Sequence, residues 1–202
     1  MNKPYTPACD RNREPILGVL RRWFSDRHNV LEIGSGTGQH AVAFAAELPH
    51  LEWQTSDRAE NLPGIRMWLD DARLPNLPAP IELDVTRGWP EGPYDAAFSA
   101  NALHIMSWDE VSGLFVGLAK ALALDATLAI YGPFNYRGRF TSESNAQFDR
   151  SLKERSASMG IRDFEAVDVL ARSANFRLVE DCAMPANNRT LVWRRQPAAG
   201  SS

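Results

Sequence analysis

The segment from residue 30 to residue 38 constrains the fold most: a short apolar run is followed at once by a Gly-x-Gly-x-Gly sequence. Val30, Leu31 and Ile33 predict a buried β-strand, and the apolar spacing of residues 37–48 predicts the helix after it. Glycines at such a turn let the backbone approach a ligand closely and leave helix N-terminal amides facing it. The segment therefore predicts a ligand-binding strand–turn–helix unit, and the alternative is a tight turn without a ligand.

The glycine spacing differs from two common nucleotide-binding motifs. The dinucleotide fingerprint has its third glycine or alanine where this chain has Gln39. A phosphate-binding P-loop needs a Gly-Lys-Ser/Thr sequence, which does not follow here. The spacing thus disfavours a nicotinamide-dependent oxidoreductase, although that class of enzyme stays an alternative.

Beyond residue 29, β-prone runs alternate with segments of helical periodicity, which is the pattern of parallel strands joined by crossover helices. The last two β-prone runs, 177–184 and 190–193, predict an antiparallel hairpin. The predicted fold is therefore α/β, with a doubly wound, mostly parallel sheet flanked by helices and ending in that hairpin. The five parallel strands are predicted over residues 30–33, 51–56, 81–85, 96–100 and 126–131.

Length and composition limit the number of domains and the class of protein. A chain of 202 residues is long enough to bury one self-sufficient core, so residues 1–195 are predicted to form a single domain. Within it, residues 1–28 form an N-terminal helix or lid, and residues 196–202 are a small-residue tail predicted to be disordered. Two cysteines, no zinc-ligand spacing and no apolar leader indicate a reduced, cytoplasmic protein without a membrane segment or a metal.

Two aspartates follow successive predicted strands. Asp57 closes the second strand, 23 positions after Gly34, and Asp84 lies at the end of the third. Ligands of open α/β sheets bind beyond the carboxyl ends of the strands. Asp57 is therefore predicted to accept hydrogen bonds from ribose hydroxyls, and Asp84 to lie beside an adenine amino group. Either aspartate alone is equally compatible with a solvated carboxylate.

The glycine turn, Asp57 and Asp84 together resemble the motif series of class I S-adenosylmethionine-dependent methyltransferases. The resemblance implies a seven-stranded sheet and S-adenosylmethionine as the cofactor. It further implies that the turn holds the methionyl part, Asp57 the ribose, and Asp84 with Val85 the adenine. The cofactor-binding residues are then predicted to be Glu32, Gly34, Ser35, Gly36, Gly38, Asp57, Asp84, Val85 and Asn101.

A narrower resemblance reaches both ends of the chain. Residues 11–17, 138–145 and 184–188 are similar to segments of the methyltransferase-like 26 family, whose substrate is unassigned. This resemblance supplies a cofactor but no methyl acceptor.

Residues beyond the fourth and fifth strands are predicted to face the acceptor. His104 and Tyr131 are the predicted catalytic residues, His104 as a base for a hydroxyl or amine acceptor, with a packed structural histidine as the alternative. Asn101 either positions a ligand or caps the next helix. Several charged or aromatic residues would suit a carboxylated or phosphorylated acceptor, and each has a solvated-surface alternative. These predicted substrate-binding residues are Arg11, Arg13, Tyr136, Arg137 and Arg139.

The predicted function is methyl transfer from S-adenosylmethionine to a small-molecule acceptor. The alternatives are a protein side-chain methyltransferase, a nicotinamide-dependent oxidoreductase and a non-catalytic S-adenosylmethionine-binding module. A net charge of -3 and the lack of an Asp/Asn-Pro-Pro-Tyr/Phe motif disfavour a nucleic-acid substrate. The oligomeric state is left open.

Overall fold

The computed structural model describes residues 3–197, and its main architecture is a seven-stranded sheet between two layers of helices. A single 3₁₀ turn at Pro185–Asn187 joins the last two strands. The helices and strands are α1 (Pro7–Trp23), β1 (Asn29–Ile33), α2 (Gln39–Glu47), β2 (Glu52–Asp57), α3 (Leu62–Ala72), β3 (Ile81–Glu82), β4 (Tyr94–Ala100), α4 (Trp108–Ala121), β5 (Leu122–Gly132), β6 (Phe134–Asn135), α5 (Glu143–Arg155), β7 (Arg162–Asp163), α6 (Phe164–Ser173), β8 (Phe176–Met184) and β9 (Asn188–Arg195).

The sheet has the strand order β3-β2-β1-β4-β5-β9-β8. The first five strands in this order are parallel to their neighbours, whereas β9 runs antiparallel to β5 and β8 antiparallel to β9. The strand order reverses between β1 and β4, which is where open α/β sheets form a ligand crevice. The predicted doubly wound α/β fold with a C-terminal antiparallel hairpin is therefore confirmed.

Alternating side chains of the strands build a core on each face of the sheet. Val30 packs into a cluster with residues of α1 and α2, whereas its neighbour Leu31 packs into the opposite cluster with residues of α4 and α6. This division follows from the two-residue repeat of a β-strand. Helix α1 is amphipathic and buries Ile16 and Leu20 on the first of these faces, so the N-terminal segment is part of the core rather than a detached arm.

Several predicted boundaries differ from the observed ones; β5, for example, begins at Leu122 instead of residue 126. β3 ends at Glu82 instead of residue 85, because the following residues turn and Thr86 donates its backbone N–H to the Asp84 carboxylate at 3.0 Å. The predicted loop at 132–139 contains the short strand β6, which pairs with β7 in a second, two-stranded sheet. Of the predicted disordered tail, residues 198–202 lie outside the described residues, and the Gln196 N–H donates to the Asn175 carbonyl at 2.7 Å.

Candidate functional site

A cleft of about 840 Å³ opens beyond the carboxyl ends of β1, β2 and β4, where the strand order reverses. This volume lies within the range of small-molecule sites. Several of the predicted cofactor-binding residues line it: Gly34, Ser35, Gly36, Asp57, Val85 and Asn101. The structure thus brings together residues that are separated by up to 67 positions in the chain.

The glycine turn has a backbone that side chains rarely tolerate. Gly34, Gly36 and Gly38 have φ angles of 72°, 59° and 89°, in the left-handed region that favours glycine. Gly38 is the N-cap of α2, and a Cβ atom there would lie 3.3 Å from the Ile65 Cα. The turn is closed against β2 because the N–H groups of Gly34 and Ser35 both donate to the Ser56 carbonyl at 3.0 Å.

Glu32 lies beneath the turn and does not line the cleft. Its Oε2 accepts hydrogen bonds from Ser35 Oγ at 2.9 Å and from Trp53 Nε1 at 3.1 Å. Burial raises the pKa of Glu32 to about 7, because the interior penalises the charged carboxylate more than these two donors favour it. Its position indicates that it fixes the shape of the turn.

Asp57 lines the cleft and is held by three donors from the protein. Its Oδ2 accepts from the Gly36 N–H, and its Oδ1 accepts from the Arg58 N–H and from Asn61 Nδ2, each at 2.7 Å. An ionised carboxylate offers about four lone-pair positions, so a position remains for a donor from a ligand. The carboxylate is therefore oriented and still able to bind a hydroxyl group.

Asp84 lies close to the cleft but points into its own turn. Its Oδ1 accepts from Thr86 Oγ1 at 2.7 Å, and Arg87 Nε lies 3.7 Å from Oδ2. Hydrogen bonds from Thr86 hold the pKa of Asp84 below its usual range. The residues that do line the cleft at this strand end are Leu83 and Val85.

The two predicted catalytic residues lie behind the cleft wall. His104 is buried and meets the ring of Phe148 edge-on at 5.1 Å between centroids. Burial, with the charges of Arg162 and Arg155, lowers the pKa of His104 to about 4. Tyr131 is also buried, at the end of β5, and burial raises its pKa. Neither side chain lines the cleft; of this loop, Ala102, Ile105 and Met106 do.

The structure does not bring the five predicted substrate-binding residues to the cleft. Tyr136 donates its hydroxyl to Asp181 Oδ2 at 2.7 Å and stacks on Phe164 at 5.4 Å, so it joins the last hairpin to α6. The other four residues are exposed on α1 or on the loop after β6. They are Arg11, Arg13, Arg137 and Arg139.

The N-terminal segment, predicted as a helix or lid, contributes a wall whose residues were not among the predicted site residues. Pro4, Thr6, Ala8 and Cys9 line the cleft, together with His40 from the first turn of α2. The position of these residues depends on how α1 packs, which no local pattern encodes. The nearest signal in the sequence is the segment 11–17, which follows this wall directly.

A buried polar pair joins α1 to α2 behind this wall. His40 Nε2 lies 2.7 Å from Asn12 Oδ1, and the imidazole stacks on Phe44 at 5.2 Å between centroids. Burial lowers the pKa of His40 to about 4 and raises the pKa of Cys9, whose Sγ lies 4.0 Å from His40 Nδ1, to about 11. Both groups are therefore neutral at pH 7.

Within residues 3–197, no group of three or more His, Cys, Asp or Glu side chains is placed so that it could hold a metal ion. In the same part of the chain, each helix is too short or too polar to cross a bilayer.

Solved structures share this architecture. An O-methyltransferase family protein from Burkholderia thailandensis has a TM-score of 0.82 at 16% identity, over 95% of this chain and 58% of that chain. An O-methyltransferase family 2 protein from Planctomyces limnophilus, solved with apigenin, has a TM-score of 0.80 at 15% identity, over 91% and 56%. The apo S-adenosylmethionine-dependent methyltransferase SibL has a TM-score of 0.78 at 20% identity, over 94% and 56%.

These likenesses define the class of fold. The protein has the fold of class I S-adenosylmethionine-dependent methyltransferases, and it spans just over half the length of the structures that it matches. The chain belongs to the family described as "Protein of unknown function (DUF938)", whose model matches residues 3–195. None of these comparisons names the methyltransferase-like 26 family, so that narrower resemblance stays a prediction.

Proposed function

We propose that this protein transfers a methyl group from S-adenosylmethionine to a small-molecule acceptor. The observation that carries the proposal is that the glycine turn, Asp57 and Asn101 line one cleft at the reversal of the strand order. The shared fold with methyltransferases supports it. A nicotinamide-dependent oxidoreductase is less well supported, because the third glycine position of the dinucleotide fingerprint holds the buried side chain of Gln39.

The residues present fit the cofactor. Asp57, oriented by Gly36, Arg58 and Asn61, would accept a ribose hydroxyl. The backbone of the glycine turn, where a Cβ atom at Gly36 would meet no atom within 4 Å, leaves room for the methionyl part. Apolar side chains beside Asp57 would cover an adenine ring, those of Leu83 and Val85. When bound, S-adenosylmethionine supplies an electrophilic methyl group on a sulfonium.

The histidines near the cleft favour alignment over strong base catalysis. His40 and His104 are both buried and neutral at pH 7, and a pKa of about 4 makes either a weak base. Placing an acceptor in line with a bound methyl group converts the transfer into an effectively unimolecular step. We therefore propose that the cleft walls contribute mainly by positioning, and that His104 supports the loop after β4 from behind.

A small molecule is the acceptor class that the neighbours favour. The Planctomyces limnophilus structure is a complex with apigenin. The four predicted arginines lie outside the cleft, and Arg58, which does line it, is paired with the Glu110 carboxylate. A neutral acceptor is therefore proposed in place of a carboxylated or phosphorylated one.

The test is methyl transfer from S-adenosylmethionine carrying a deuterated methyl group to a fractionated small-molecule extract, followed by mass spectrometry. The proposal expects a small molecule heavier by the labelled methyl group, formed by the wild-type protein and not by Asp57→Ala. Label found only in protein would support a side-chain methyltransferase instead. Bound cofactor with no labelled product in any fraction would support a non-catalytic binding module.

A further inference from the structure

Gln39 joins the glycine turn to the N-terminal segment through a single oxygen atom. Its side chain is buried at the first residue of α2. Its Oε1 accepts a hydrogen bond from the Thr6 backbone N–H at 2.6 Å and another from Thr37 Oγ1 at 3.0 Å. Thr37 belongs to the turn and Thr6 to the segment that precedes α1, so the two are held at a fixed distance.

The same segment is attached to α3 at its other end. Trp68 Nε1 donates to the Pro4 carbonyl at 2.7 Å. Lys3 Nζ lies 2.6 Å from Asp71 Oδ2 and 3.8 Å from the centroid of a Trp68 ring. Residues 3–6 thus run from α3 to α2, and the cleft lies beneath them, lined by Pro4 and Thr6.

The contacts made by Gln39 and by Lys3 differ in strength. The Lys3–Asp71 pair is exposed to solvent, and surface ion pairs typically contribute little. The Gln39 side chain is buried, and in a protein interior hydrogen bonds are electrostatically stronger and an unpaired polar group is costly. Loosening the segment at Gln39 is therefore expected to matter more than loosening it at Lys3.

We infer that Gln39 is a positioning residue that couples the glycine turn to residues 4–9, so that these residues form a wall over the bound cofactor and slow its release. The inference rests on the proposed function for the identity of the ligand. This role also accounts for the long amide side chain at the position of the third glycine of a dinucleotide fingerprint, because the amide oxygen accepts hydrogen bonds from both Thr6 and Thr37.

The test measures the release of S-adenosylhomocysteine from the full chain by stopped-flow fluorescence. Gln39→Met removes the acceptor at similar size, and release is expected to become about tenfold faster with association little changed. Gln39→Glu keeps an oxygen for both donors, and a negative charge is favourable at a helix N-terminus, so it should restore release to within about threefold of the wild type. Gln147→Met, at an exposed position of α5, is the matched control and should change nothing.

A second measurement needs no ligand. Amide hydrogen exchange of Thr6 in the ligand-free protein should be at least about tenfold faster in Gln39→Met than in the wild type. If the wild type binds no S-adenosylhomocysteine, the proposed function fails, and the exchange rate of Thr6 still decides whether Gln39 couples the two segments. A folded Gln39→Met variant with wild-type release or wild-type Thr6 exchange overturns the inference.

Discussion

The two ends of the cleft are built in different ways. The turn end, residues 32–38 with Asp57, consists of two neighbouring strand ends and the loop between them and α2. The loop end, residues 100–106, is held by a distant segment: Arg162 Nε donates to the Leu103 carbonyl at 3.1 Å, and the Gly160 N–H donates to the His104 carbonyl at 2.9 Å. The turn end is thus specified by a short motif, whereas the loop end depends on long-range hydrogen bonds.

The largest expected effect is at the loop end. Arg162→Met removes a half-buried guanidinium that also donates to the Met106 carbonyl and, at 2.8 Å, to the Ser158 carbonyl. Because hydrogen bonds from a charged donor are strong and the carbonyls lose their partner, we expect unfolding in urea to cost about 3 kcal/mol less. Arg150→Met is the control: its exposed guanidinium lies 3.6 Å from Glu143 and should contribute less than about 0.5 kcal/mol. Equal losses of unfolding free energy in Arg162→Met and Arg150→Met would show that the long-range hydrogen bonds do not hold this loop.

At the turn end, two glycines allow a matched comparison. Gly38→Ala places a Cβ atom at a φ of 89° and against the Ile65 backbone, so we expect a loss of about 2 kcal/mol in the free energy of unfolding. Gly36→Ala has a φ of 59° but open space around the Cβ atom, and should lose about 1 kcal/mol. Chemical denaturation of both variants measures the difference, and the reverse order would contradict the described packing of the turn on α3.

Cofactor affinity is expected to depend more on Asp57 than on Asp84, although both aspartates follow predicted strands. Asp57→Ala should weaken S-adenosylhomocysteine binding more than about tenfold, or about 1.4 kcal/mol, because Asp57 lines the cleft and orients Gly36. Asp84→Ala should weaken it less than about threefold, since its carboxylate binds Thr86. Calorimetric titration of both variants with S-adenosylhomocysteine measures the two affinities. An Asp84 effect as large as that of Asp57 would show that the turn at residue 84 rearranges around the ligand.

Per pH unit, the response of stability to pH is the smallest expected effect. The pKa of Glu32 rises from 4.5 to about 7 on folding, so its stabilising contribution is present at low pH and is lost as pH rises through that range. His40 and His104 fall from 6.5 to about 4, so their contributions are present above pH 6.5 and are lost as pH falls. Between pH 4.5 and 6.5 the two histidines outweigh the one carboxylate, and the free energy of unfolding should decrease toward acid by about 1 kcal/mol per pH unit.

Two variants test this balance by urea unfolding at several pH values. Glu32→Gln removes the opposing group at the turn end and should steepen the acid loss to about 2 kcal/mol per pH unit. His104→Asn removes one titrating group at the loop end and should make the dependence nearly flat in the same range. A wild-type profile unchanged by both substitutions would contradict the burial of these side chains.

The turn end of the cleft could be predicted from the sequence better than the loop end. The alternation of strands and helices, the hairpin and the glycine turn follow from hydrophobic periodicity and the glycine spacing, because they are properties of neighbouring residues. The order of the strands in the sheet is a long-range property that the structure supplies. The roles predicted for Tyr136, Arg137 and Arg139 assumed that residues following a strand face the ligand, and those of Arg11 and Arg13 assumed that the N-terminal segment turns its charged side chains toward it. The structure instead gives Tyr136 an acidic partner on the last hairpin, 45 positions away. A helix or lid at the N-terminus could be predicted but its contacts could not, because the contacts of Asn12 and Thr6 depend on tertiary packing rather than on a local pattern.

Calorimetric titration of the purified, ligand-free protein with S-adenosylmethionine and, separately, with NAD shows whether the cleft binds S-adenosylmethionine. We predict micromolar binding of S-adenosylmethionine and no binding of NAD. Failure of the folded protein to bind S-adenosylmethionine, or a preference for NAD, would contradict this prediction.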